Sequence, residues 1–68
     1  MEKVKINEEY IRLDNLLKFQ NAVSSGGHAK IVIQNGEVKV DGEICTMRGK
    51  KLRKGNTVEY EKYSFIIV

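Results

Sequence analysis

The chain has 68 residues, 41% of them hydrophobic, with no proline and one cysteine. A chain this short forms one domain with a thin core, burying only about 60% of the surface it exposes when unfolded. Its apolar content excludes disorder, and its lone thiol excludes an internal disulfide. Net charge is +3, yet Arg48, Lys50, Lys51, Arg53 and Lys54 put five positive charges within seven positions. The other seven basic residues are outnumbered by nine acidic ones. Charge gathered in this way makes a positive patch unless local acids cancel it, and such a patch suits a polyanion.

In chain order, Lys3 to Ile6 alternates polar and apolar side chains, which predicts a short edge strand. No signal-like apolar core and no run near the ~20 apolar residues of a membrane span occurs, so the expected compartment is the cytoplasm, with no membrane partner. Asn7, followed by Glu8 and Glu9, predicts a helix start, because an Asn cap and early acids suit free amides and the positive end of the helix dipole. Tyr10, Leu13, Leu16 and Leu17 form the buried stripe of that helix, Asp14 and Lys18 pair four apart on its outside, and Phe19 closes its end against the core. A connection from Asn21 to Gly27 runs into a second helix, capped by Ser24 or Ser25. Gly26 and Gly27 in its first turn permit close approach by another backbone or a phosphate. Ala29, Val32 and Ile33 give its apolar face, and Asn35-Gly36 ends it.

Val38 and Val40, Asp41-Gly42, then Ile44 predict a hairpin with a two-residue turn of the primed type. Cys45 reads as a semi-buried strand residue. Thr46 to Asn56 is mostly loop, anchored by Leu52. Thr57 to Glu61 and Ser64 to Val68 predict two more strands, joined by a tight turn near Lys62-Tyr63. The continuous apolar run Phe65-Ile66-Ile67-Val68 requires cover on both faces or a central place beside the N-terminal strand. The expected order is β-α-α-β-β-β-β. This is an α+β fold in which two N-terminal helices pack on a small, mainly antiparallel sheet.

Three segments together resemble a known family. They are Arg12-Leu13-Asp14-x-Leu16-Leu17, then Ser25-x-x-x-Ala29-Lys30-x-x-Ile33-x-x-Gly36-x-Val38-x-Val40-Asp41-Gly42, then Lys51-x-x-x-Gly55-x-x-Val58. Their order and spacing resemble the S4 RNA-binding domain, over about residues 10 to 60. Ser25-Gly26-Gly27-x-Ala29-Lys30 is similar to the small, free-standing bacterial S4-like proteins of the YaaA/YbcJ type. The resemblance implies an αL-type module with flanking strands. It also implies a structured RNA as partner, either rRNA or a ribosomal assembly intermediate. The alternatives are a tRNA or small-RNA adaptor, and a non-catalytic protein-interaction module. One departure stands out: many S4 domains carry Ser-Arg where this chain has Ser24-Ser25 or Ser25-Gly26, and Lys30, one turn later, is the nearest replacement.

The candidate RNA-binding residues are Arg12, His28, Lys30, Lys39, Arg48, Lys50, Lys51, Arg53 and Lys54. The lysines act as mobile point charges, while the arginines can grip phosphate in a fork. Arg12 either faces RNA or pairs with Asp14 or another carboxylate, and Asp14 itself reads as structural. Lys39, between Val38 and Val40, points away from the core and extends the patch. Tyr10, Tyr60, Tyr63 and Phe65 read as core or core-edge packing, with Tyr63, in a turn, the one candidate for base stacking. Catalysis finds no support. His28 and Cys45 stand 17 residues apart with no Cys-x-x-Cys, Gly26-Gly27 lacks a phosphate-loop pattern, and no carboxylates are paired. No metal or cofactor is expected. The chain reads as a monomer, with a dimer through an open strand edge as the alternative.

Overall fold

A computed structural model, describing all 68 residues, contains nine elements in chain order. They are β1 (Glu2–Val4), β2 (Ile11–Arg12), α1 (Leu13–Phe19), α2 (Gly26–Gln34), β3 (Val38–Val40), β4 (Glu43–Ile44), β5 (Lys51–Leu52), β6 (Thr57–Tyr60) and β7 (Tyr63–Ile67). Five of the strands form one mixed sheet in the order β1-β7-β6-β3-β4, while β2 and β5 make a separate two-stranded ribbon. Only the β1–β7 pair is parallel. Two strands precede the helices, where the sequence reading expects one, so the helices are not the N-terminal layer of the chain.

Period-two alternation sets the sheet. Val38, Val40, Val58, Tyr60, Phe65 and Ile67 point to one face and are buried. Register lines them up, Val40 beside Val58 and Val58 beside Phe65. The same alternation puts Lys39, Glu59 and Ser64 in a row on the opposite face. Leu13, Leu16 and Leu17 of α1 join Ala29, Val32 and Ile33 of α2 over the apolar face, in one cluster with the sheet residues. No charged or amide side chain is buried, so any recognition chemistry lies on the surface. β7 sits between β1 and β6, which answers the two-way reading of the C-terminal run: Phe65 and Ile67 turn inward while Ile66 stays half-buried outside.

Local signals account for most boundaries. Ser25 caps α2 by accepting the His28 backbone N–H at 3.1 Å. Both helices end through a residue at positive φ, Asn21 at 57° and Gly36 at 77°. In each, a backbone bond closes the last turn, Ala22 N–H to the Leu17 carbonyl and Glu37 N–H to the Val32 carbonyl. Asp41 at 52° and Gly42 at 84° form the expected primed turn. The last turn is Glu61–Lys62, so Tyr63 is not in it. Instead Tyr63 opens β7, opposite Tyr60, with its ring 6.5 Å from that of Tyr60 and 6.0 Å from that of Phe65.

The start of α1 differs from its sequence reading. Residues 7–10 are not helical, and the helix begins only at Leu13, with Arg12 as an N-cap whose side chain makes no capping bond. The acceptors are non-local: the Leu13 and Asp14 backbone N–H groups donate to the carbonyls of Lys50 (2.9 Å) and Arg48 (3.0 Å). Free first-turn amides must find partners somewhere, and here a distant loop supplies them. Tyr10 consequently falls outside the buried stripe, 37% exposed, and Phe19 at the other end of the helix is 67% exposed instead of closing against the core. Asp14 pairs with Arg12 rather than with Lys18.

Candidate nucleic-acid interface

The basic loop is held against α1 at three points. The carbonyls of Arg48 and Lys50 cap the helix, Arg12 pairs with Lys51 across the β2–β5 ribbon, and Leu52 opposite Ile11 is fully buried. Truncating Leu52 to Ala would cost about 2–5 kcal/mol and unseat the loop. The Arg12 guanidinium lies over the loop backbone, close enough that a side chain at Gly49 would stand 3.5 Å from its Nη2. Arg12, Arg48, Lys50 and Lys51 are thus brought to one place although 36 positions separate the first two. All four are exposed.

The acids nearby do not cancel this charge. Asp14 Oδ2 accepts from Arg12 Nη2 at 3.0 Å, and its Oδ1 accepts the Asn15 N–H at 2.8 Å, so this carboxylate positions Arg12 and completes the helix cap. Glu9 pairs with Arg53 at 3.0 Å, with side chains 81% and 50% exposed. An ion pair this wet contributes about 0–1 kcal/mol and yields readily to a phosphate. Arg48, Lys50, Lys51 and Lys54 have no carboxylate partner. Tyr10, read from sequence as a core residue, stands at the edge of this surface, with Lys51 Nζ 4.9 Å and the Arg53 guanidinium 5.6 Å from its ring centre.

The far end of the loop has an anchor that the sequence reading missed. Asn56 Oδ1 accepts the Arg53 N–H at 2.7 Å, and Asn56 Nδ2 donates to Asp41 at 2.8 Å. Asp41 also accepts the Thr57 N–H at 2.9 Å. This aspartate therefore ties the hairpin turn to the basic loop besides shaping the turn itself. Only the Asp-Gly turn signal hinted at it.

The other candidates lie elsewhere. His28 is half-buried at the first turn of α2, where its Nδ1 accepts the Ser24 N–H at 3.1 Å, leaving Nε2 to carry the ring proton. Lys30 is exposed on α2, and no hydrogen bond or ion pair links it to the loop. Lys39 occupies the sheet face turned away from the helices, directly across from Glu59, so it does not extend the cluster around Arg12. No helix is long and apolar enough to cross a membrane.

The family model described as S4 domain matches residues 4–68. The chain belongs to the S4 domain family. It is 39% identical over 59 residues to YbcJ of Escherichia coli, a span that covers 87% of this chain and 84% of YbcJ. Against the "Probable ribosome maturation protein RlbA" of Bacillus subtilis it is 39% identical over 66 residues, covering 96% and 93% of the two chains. The solution structure of Escherichia coli YbcJ, described as revealing an αL motif involved in RNA binding, superimposes with a TM-score of 0.75 at 35% identity. That match covers 100% of this chain and 87% of YbcJ. The S4 resemblance read from three sequence segments thus extends through the flanking strands, and the α+β architecture is that of an S4-like RNA-binding fold.

Proposed function

We propose that this S4 protein binds structured RNA in the cytoplasm, as a monomer and without catalysis, through Arg12 and the loop of residues 48–54. The observation that carries the reading is the capping of α1 by the Arg48 and Lys50 carbonyls. That contact fixes the spacing between loop cations and Arg12, so an RNA backbone meets several charges on a rigid body rather than a free basic tail. Folded RNA is recognised largely through shape and backbone, which a preset constellation of charges can match. Lys30 and His28 stand on α2, with no hydrogen bond or ion pair to this surface. The absence of an arginine after Ser25 leaves the α2 start to glycine backbone, with open space beside Gly26.

The RNA we assign is rRNA, within an assembling ribosomal particle. Support comes from the likeness to RlbA, whose name places it in ribosome maturation. Crosslinking in cells followed by sequencing of the bound RNA tests this. Reads concentrated in rRNA precursors are the expected result. Reads dominated by tRNA would transfer the same surface to an adaptor role, and recovery of a defined protein after nuclease treatment, with no loss when Lys50, Lys51 and Arg53 are replaced by alanine, would favour a protein-interaction module instead.

A further inference from the structure

Beside the basic cluster runs a half-open groove of about 680 Å³ between residues 4–12 and the outer side of α1. Its size falls within the roughly 300–1,000 Å³ of small-molecule sites. Single exposed apolar side chains are ordinary, but here two aromatic residues, Tyr10 and Phe19, line one groove. Phe19 is 67% exposed rather than packed against the core at the end of its helix. Asn15 and Gln20 line the same groove, and their side-chain amides make no hydrogen bond within the protein. Arg12 belongs both to this groove and to the cationic surface.

We infer that the groove holds an unpaired nucleobase, turned out from the RNA strand whose phosphates lie on Arg12 and the basic loop. The chemistry separates base from backbone. Glu8 and Glu9 on the groove wall repel a phosphate or an acidic peptide, whereas aromatic rings stack on any base and free amides can donate to and accept from its edge. Tyr10 joins the two parts, since its ring carries Lys51 and Arg53 while the residue lines the groove. A phosphate arriving at Arg53 would displace Glu9 from its exposed ion pair. This subsite rests on the RNA-binding reading above and adds a preference for RNA with an extruded base.

The test uses the full chain and two RNA hairpins with equal numbers of phosphates, one fully paired and one carrying a single bulged 2-aminopurine. The bulged hairpin should bind more tightly by roughly fivefold to a hundredfold, the range for one stacked base, with quenched 2-aminopurine fluorescence. Phe19→Ala, an exposed position whose circular dichroism and melting should not change, is expected to remove both the preference and the quench without altering affinity for the paired hairpin. Phe19→Tyr should retain both. If Phe19→Ala leaves preference and quench intact, or weakens both hairpins equally, the subsite is wrong while the basic surface stands. If neither hairpin binds, the subsite and the RNA-binding reading fail together. Loss of a self-associated dimer in Phe19→Ala, with RNA binding unchanged, would assign the groove to a second copy and overturn the proposal.

Discussion

The two helices meet the same requirement, acceptors for first-turn amides, in opposite ways. At α2 the solution is local: Ser25 lies three residues from the N–H it accepts, and the space beside Gly26 stays open. At α1 the acceptors are carbonyls from Arg48 and Lys50, and their side chains bring the positive charge. The first helix start is therefore assembled by the tertiary fold, and the binding surface is assembled with it. A cap made of backbone also leaves the side chains above it free to contact a ligand.

That contrast can be broken most strongly at the loop. Replacing Arg48, Lys50 and Lys51 together by Ala leaves their carbonyls in place, so helix content by circular dichroism should not change. RNA affinity should fall roughly a hundred- to a thousandfold, at about 1–1.5 kcal/mol for each lost phosphate contact. The slope of log K against log salt should shrink by about three, one for each phosphate contact. Loss of helix together with affinity would mean that the side chains, not the backbone, hold α1.

A smaller effect compares the caps themselves. Ser25→Ala should lower stability to urea by about 1 kcal/mol, because it removes the acceptor for the His28 amide. Arg12→Ala should cost less, about 0.5 kcal/mol, since Arg12 contributes no capping bond and a single ion pair whose guanidinium side is half-exposed. Its RNA affinity should nonetheless drop. Equal stability losses in the two variants would erase the distinction between a local and a borrowed cap.

The weakest perturbation at neutral pH lies in the β6–β7 hairpin, away from both helix starts. Burial, followed by the nearby charges of Glu61 and Glu37, raises the Tyr60 phenol above its ordinary value. A folded-state value above the unfolded one stabilises the fold fully below about pH 10, and that contribution disappears as pH rises through the folded value. Urea unfolding of wild type against Tyr60→Phe should therefore give a difference that is constant at neutral pH and moves in favour of the variant under alkaline conditions. A constant difference throughout would show that Tyr60 ionises equally in both states.

What could be read from sequence follows the same division. The α2 cap, the Gly36 helix end, the Asp41-Gly42 turn and the alternation of β3 and β6 are set by residues adjacent in the chain, and each lies where its pattern predicts. The α1 start was misplaced at Asn7 because its amides bond to a loop more than thirty positions away, which no local pattern encodes. Once that start moves, Tyr10 changes from a core residue to a surface one. The β2–β5 ribbon was missed for a related reason, since two-residue strands carry no periodicity to recognise. The charge cluster at 48–54 was visible, but its meeting with Arg12 belongs to the fold. Lys39 was placed correctly as outward-facing, and only the sheet topology reveals that outward here means away from the helices.

The central claim, that Arg12 and the 48–54 loop act as one RNA-facing surface, is tested most directly by mapping backbone amide chemical shifts during titration with a folded rRNA fragment. The account predicts the largest changes across residues 10–15 and 48–54, with little response at Lys39, Glu59 and Ser64 on the opposite face of the sheet. Shifts concentrated on that outer row, with the loop unchanged, would contradict it.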